Sequence, residues 1–246
     1  MIDLNKQPII LLGGFLINTK SYLPIANWLT KEEGLKVSII KLNKLDWLST
    51  SWEHGWARIL NKVNDEVKKI IKSSPEQKIT LLGHSSGGVM LRLYLSDKIF
   101  AGTRYSGKDY CNNLITLGSP HQAKRSTKLR GLVDKEFPGS YYSESVNYAS
   151  IGGIVNTNSK ATRLLTRLTA QYSYNSISGL EDDYGDGLVP LSSSLLKDSK
   201  KIILNDVSHA RIFGESWYGS DHVIKQWWSE LLEYEEKNSL NENIKD

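Results

Sequence analysis

Along this chain, unbroken apolar runs alternate with stretches whose apolar residues recur every three or four positions. The first run, "PIILLGGF" (Pro8–Phe15), ends in two glycines and predicts a strand buried on both faces. "LKVSIIKL" (Leu35–Leu42), "KITLLG" (Lys78–Gly83), "NLITLG" (Asn113–Gly118), "YSYNSISG" (Tyr172–Gly179) and "KIILNDV" (Lys201–Val207) read the same way. Between the second and third, Ile59, Val63, Val67, Ile70 and Ile71 fall on one side of a predicted amphipathic helix. After the glycines that follow the third run, Val89, Met90 and Leu93 give a second helix a single apolar side. Strands alternating with helices predict an α/β fold with a mainly parallel central sheet and helices on both faces.

The stretch from about His121 to Gln171 breaks this rhythm. It holds glycines, serines, tyrosines and a basic cluster (Lys124, Arg125, Lys128, Arg130), with a short helical pattern around Ala161–Leu168. Irregular segments longer than about 12–15 residues are usually functional, so residues 121–171 are expected to form a lid-like insertion. The polar end, "EYEEKNSLNENIKD", lacks apolar periodicity, and a flexible tail is expected from about residue 236 to 246. No linker or repeat interrupts the chain, so residues 1–246 are expected to form a single domain.

Composition narrows the function classes. The net charge of +4 is mild, and lysines and arginines are scattered among acids without a nucleic-acid motif. Nucleic-acid binding is therefore not expected, while peripheral contact with anionic lipid is compatible with this charge. The single cysteine, Cys111, leaves no intrachain disulfide and no Cys-based metal cluster, and reads as a strand residue. No apolar run approaches the ~18 residues of a transmembrane segment. The start, "MIDLNKQPII", lacks a secretory pattern, so the expected location is cytoplasmic.

The chemistry concentrates at "LLGHSSGGVM" (Leu81–Met90). Gly83-His84-Ser85-Ser86-Gly87 satisfies G-x-S-x-G between a predicted strand and a predicted helix, the context of a nucleophile elbow. Ser86 centred the same way would need glycine where His84 stands, so Ser85 is the candidate nucleophile. The N–H of Ser86, opening the helix, is placed to face a developing oxyanion. A second donor is expected from the loop after the first strand, where Gly13 and Gly14 permit close backbone approach; Phe15 N–H is the candidate.

A hydroxyl nucleophile needs a base. His54, between Trp52 and Trp56, lies upstream and suits a packing role. His84 leaves the elbow on another bearing and is expected to pack beside the site, and His121 follows a strand end at the expected pocket rim; both are candidate substrate-binding residues. His209 and His222 lie where chain order Ser…Asp/Glu…His puts the base, and His209, on the loop after the last strand, is favoured over His222 at a helix start. For the acid, "SGLEDDYGDGLVP" offers Glu181, Asp182, Asp183 and Asp186. Asp186, between glycines and followed by an apolar run, is the candidate. A shared Ca²⁺-ligand role for Asp182, Asp183 and Asp186 lacks the EF-hand spacing.

With these residues in place, the chain resembles the α/β-hydrolase superfamily over nearly its whole length. "GHSSGG", "GDGLVP", "SHARIFGESWYGSD", "LDWLS" (Leu45–Ser49) and "WYGS" (Trp217–Ser220) are most similar to a lipase/esterase-like branch of plants and cyanobacteria related to inositol-deacylase-like hydrolases. The resemblance implies the α/β-hydrolase fold and a Ser85–His209–Asp186 triad cleaving esters through an acyl-enzyme, with no metal or organic cofactor. Many members carry His-Gly after the first strand, where this chain has Gly13-Gly14-Phe15.

Seven tryptophans, among them Trp47, Trp52, Trp56, Trp217, Trp227 and Trp228, suit core packing, an acyl pocket or a lipid interface. With the basic cluster beside them, a hydrophobic or lipid ester is the expected substrate. Two other readings keep the same scaffold: an acyltransferase passing the acyl group to an alcohol, and a non-catalytic binder of hydrophobic ligands.

Overall fold

The computed structural model describes residue 4 and residues 7–72, 74, 77–122, 126–159, 162–179 and 184–243, with side chains up to residue 234. Among the described residues, eight strands are formed: β1 (Ile9–Leu12), β2 (Val37–Ile39), β3 (Ile79–His84), β4 (Ile99–Phe100), β5 (Thr103–Arg104), β6 (Cys111–Leu117), β7 (Asn147–Ile154) and β8 (Lys200–Asn205). The α-helices are α1 (Leu23–Glu33), α2 (Lys44–Leu48), α3 (Glu53–Ile71), α4 (Ser86–Leu95), α5 (Lys128–Glu136), α6 (Leu164–Ser178), α7 (Leu191–Ser194) and α8 (Asp221–Asn243).

Six strands make one sheet in the order β2-β1-β3-β6-β7-β8, every neighbouring pair parallel. The short β4-β5 hairpin stands apart. Alternation along each strand splits the core in two. Ile10, Leu12, Leu81 and Leu114 pack under α3 and α4, while Ile9, Leu11, Leu82 and Ile115 pack under α1 and α8. On α3, the expected stripe Ile59, Val63, Val67 and Ile70 is buried; on α8, Val223, Ile224, Trp227 and Leu231 are. Among the described residues, no helix is long and apolar enough to cross a membrane.

Three expectations are corrected. "YSYNSISG" is not a strand but the second half of α6. Its buried positions, Thr166, Ala170, Ser173 and Tyr174, do follow helical spacing, but three of them are small or polar and carry no hydrophobic signal. The fifth sheet strand is instead β7, inside the stretch expected as a lid. Its sequence, "NYASIGGI", reads as a loop because Gly152 and Gly153 weaken the strand pattern. Those glycines are dictated by crowding: a Cβ on Gly152 would stand 2.4 Å from Leu191 Cδ1, and one on Gly153 2.3 Å from the Val207 carbonyl. Finally, the chain past residue 236 continues as helix to Asn243 rather than leaving α8 as a tail.

Candidate active site

Three loops at the C-terminal edge of the sheet bring the candidate residues together. Ser85 joins β3 to α4, Asp186 lies on the connection from β7 to β8, and His209 follows β8. Ser85 Oγ is 3.0 Å from His209 Nε2, and His209 Nδ1 is 2.8 Å from Asp186 Oδ2, with all three side chains buried. The predicted nucleophile, base and acid thus form one hydrogen-bonded line.

The elbow is strained in the way its sequence suggests. Ser85 has φ 54° and ψ −128°, a backbone region that side chains rarely occupy. Such a sharp turn presses strand against helix, and only glycine fits there: a Cβ on Gly83 would lie 2.4 Å from Gly88 Cα. Gly14 meets the same demand from the other side, since its Cβ would stand 2.7 Å from Ser85 Cβ. The loop after β1 therefore passes directly over Ser85.

That loop and the start of α4 hold the candidate oxyanion donors. Phe15 and Ser86 both line the cavity that opens onto Ser85. Gly14 N–H is already engaged, donating to Tyr22 Oη at 2.6 Å. Ser86 opens the ten-residue α4, so its N–H and the helix dipole both favour negative charge beside Ser85 Oγ.

Asp186 is held on every side. Its Oδ1 accepts from Leu188 N–H (3.1 Å) and Val189 N–H (2.8 Å), while its Oδ2 accepts from Tyr218 O–H (2.9 Å) as well as facing His209. Its own carbonyl accepts from His209 N–H at 2.8 Å, so acid and base are also joined through the main chain. Burial, followed by the Asp186 charge, pushes the Tyr218 phenol well above its ordinary pKa, leaving it a neutral donor.

His84 takes a different part from the one expected. It is buried beneath the site and does not line the cavity. Its Nε2 lies 2.9 Å from the His209 carbonyl, and Tyr22 Oη lies 2.9 Å from its Nδ1. A carbonyl only accepts, so Nε2 carries the proton and Nδ1 accepts from the Tyr22 hydroxyl. A single bridge, Gly14–Tyr22–His84–His209, thereby ties the loop after β1 to the loop that carries His209. His121 also lies outside the cavity, buried between Thr116 Oγ1 (3.0 Å) and the Arg92 guanidinium (3.5 Å). The sheet edge draws both histidines into the core, where they brace neighbours rather than meet solvent. His222 is exposed against Ser216, and His54 stacks on Trp52, both apart from the triad line. Glu181, Asp182 and Asp183, like Lys124 and Arg125, lie outside the described residues.

Burial lowers the pKa of His84 well below the ordinary imidazole value, and His209 close by lowers it further. Burial and then Arg92 do the same to His121. The unfolded chain protonates both near pH ~6.5, whereas the native state keeps both neutral. Above that pH neither state binds these protons and the two groups cost nothing. As pH falls below it, the unfolded state gains protons the native state refuses, and stability drops by up to about 1.4 kcal/mol per pH unit for each histidine. Urea titrations should accordingly show a falling midpoint between about pH 7 and about pH 5. An unchanged midpoint would mean both imidazoles charge in place.

The cavity has a volume of about 560 Å³, in the ordinary range of ~300–1,000 Å³ for small-molecule sites. Its walls are mostly apolar: Phe15, Trp47, Trp56, Met90, Ile177 and Phe213 among others. The early "LDWLS" stretch builds one wall through a buried anchor, Asp46. Asp46 and Asn43 form a reciprocal capping box that starts α2 and places Trp47 against the cavity. Burial would raise the Asp46 pKa, but Asn43 N–H, Lys62 (2.7 Å) and Arg58 (3.1 Å) together hold it below the usual carboxylate value.

Comparison with known proteins agrees with this architecture. A family model described as the PGAP1-like alpha/beta domain matches residues 4–186. An alpha/beta hydrolase enzyme from the metagenome of sediments from the lagoon of Mar Chica, Morocco, is 14% identical with a TM-score of 0.54, covering 94% of this chain and 93% of its own. That likeness shows the alpha/beta-hydrolase fold. The lin2722 gene product of Listeria innocua is 17% identical with a TM-score of 0.49, covering 91% and 93%. Lipase B of Aspergillus fumigatus is 15% identical with a TM-score of 0.44, over 62% of this chain and 38% of its own. No curated protein matches the sequence at a significant level.

Proposed function

We propose that this chain, which belongs to the PGAP1-like alpha/beta domain family, is a serine hydrolase of hydrophobic carboxylic esters, in keeping with the lipase/esterase-like, inositol-deacylase-related branch its motifs resemble. The observation that carries this reading is the unbroken hydrogen-bonded line Ser85–His209–Asp186 opening into an apolar cavity. Ser85 Oγ attacks the ester carbonyl as His209 Nε2 takes its proton, and Phe15 and Ser86 N–H stabilise the oxyanion. His209 then protonates the leaving alcohol, an acyl-enzyme remains, and water activated by the same imidazole releases the acid and regenerates Ser85. Asp186 compensates the imidazolium in both halves.

A lipidic substrate is supported by the rim of the cavity. Phe15, Leu16 and Ile212 line it and are also exposed, and Leu164, Leu165 and Leu168 are exposed on α6, whose Arg163 and Thr166 bond the 211–213 backbone. Exposed apolar groups gathered around one opening suit contact with a lipid surface. The test is to treat the enzyme with a fluorophosphonate and to follow p-nitrophenyl esters of increasing acyl length. One equivalent of label on Ser85, with a rate optimum at medium to long chains, is the expected result. An unlabelled Ser85 would sink the reading and favour a non-catalytic ligand binder. Faster chromophore release on adding an alcohol, with the acyl group recovered on it, would favour acyl transfer.

A further inference from the structure

Among the described residues that line the cavity, Arg130 is the one side chain with a permanent charge, and none is acidic. It projects from α5, half-buried, into the same space as Ser85. Asp134 lies one turn further along α5, at the spacing that ordinarily pairs an acid with an arginine. Yet among the described residues Arg130 forms no ion pair, with Asp134 or any other carboxylate, and its guanidinium has no protein hydrogen-bond acceptor. Asp134 instead feels Arg92. Burial lowers the Arg130 pKa, but an arginine starts so high that it remains charged at neutral pH. A partly desolvated cation without a protein partner pairs favourably with a ligand anion, which forms charge-assisted hydrogen bonds with it.

We infer that Arg130 is a specificity-determining residue that receives an anionic group, a carboxylate or a phosphate, carried by the ester whose carbonyl reaches Ser85. The substrate is then an amphiphile: its apolar part fills the Trp47–Met90–Phe213 walls while its anion meets the guanidinium's planar fork of donors. The inference takes the reacting group from the serine-hydrolase reading but not the anion site, so the two are tested separately.

The kinetic arm compares p-nitrophenyl octanoate with the mono-p-nitrophenyl ester of suberic acid, which ends in a carboxylate at similar length. The ratio of kcat/KM for the charged over the neutral ester is read within each enzyme, so any general loss of activity cancels. That ratio should fall about 10- to 100-fold from wild type to Arg130→Met, the span of a charge-assisted hydrogen bond, and recover in part in Arg130→Lys. The binding arm needs no turnover: octyl phosphate, octanoate and octanol are titrated while fluorescence of the lining Trp47 and Trp56 is followed. Octyl phosphate or octanoate should bind at least about ten-fold tighter than octanol to wild type and equally with it to the variant, and the tighter of the two identifies the anion. Arg130→Gln serves if the methionine variant does not fold. Equal ratios and equal affinities in wild type and variant would overturn the inference. Anion-selective binding with no turnover of either ester would retain it and overturn the hydrolase reading instead.

Discussion

Ser85→Ala should lower kcat for p-nitrophenyl ester hydrolysis on the order of 10⁴- to 10⁶-fold while leaving KM within a few-fold of wild type. The substitution removes the one oxygen 3.0 Å from His209 Nε2 and leaves both candidate oxyanion donors and the cavity intact. What survives is the residual catalysis those donors give to attack by water. Stability should hardly change. Alanine keeps the Cβ, so the φ 54° strain at position 85 persists, and only one hydroxyl bond is lost. Rates are to be measured beside a thermal melt of each protein. Equal rates in wild type and variant would remove Ser85 from the mechanism.

Asp186→Asn is the second large effect, about 10⁴-fold in kcat by analogy with the equivalent change in serine proteases. Its cause can be read from the donors around the carboxylate. Leu188 and Val189 N–H both point at Oδ1, so the amide oxygen must occupy that site. The amide nitrogen then takes the place of Oδ2, facing His209 Nδ1 and the Tyr218 hydroxyl. There it donates to Nδ1, which forces the His209 proton onto Nε2, where it points at Ser85 and cannot accept. A fluorophosphonate should label this variant far more slowly than wild type, although Ser85 is present. A loss under ten-fold would mean that another carboxylate orients the base.

The candidate triad was easier to pick out in the sequence than the full sheet that positions it. Ser85, His209 and Asp186 stand out because a nucleophile elbow, a histidine after the last strand and an acid between glycines each need particular residues at particular places. Tyr22 and Tyr218 were missed because their work is done through hydroxyls that meet the site from distant segments, with nothing local to distinguish them from core aromatics. Tyr218 did lie inside the "WYGS" resemblance, which was a usable signal. His84 packs beside the site as its bearing suggested, but neither it nor His121 lines the cavity: position near a strand end predicts proximity to the site, but not which way a ring turns. β7 escaped because its close packing demands glycine, and α6 because its buried stripe is built from Thr166, Ala170 and Ser173 rather than from large apolar residues.

The place of β7 between β6 and β8 divides what first reads as one lid into two excursions, 118–146 and 155–199, each leaving and rejoining the sheet by itself. The first brings Arg130 to the cavity and the second brings Ile177, Leu188 and Val189 together with the Asp186 turn. Selection can therefore act on them unequally. The first carries none of the candidate triad residues, although Gly118 at its start lies against Asp186 and Tyr218, whereas the second carries the candidate acid itself. A chimaera exchanging residues 119–146 should therefore move substrate preference while keeping Ser85, Asp186 and His209 in place.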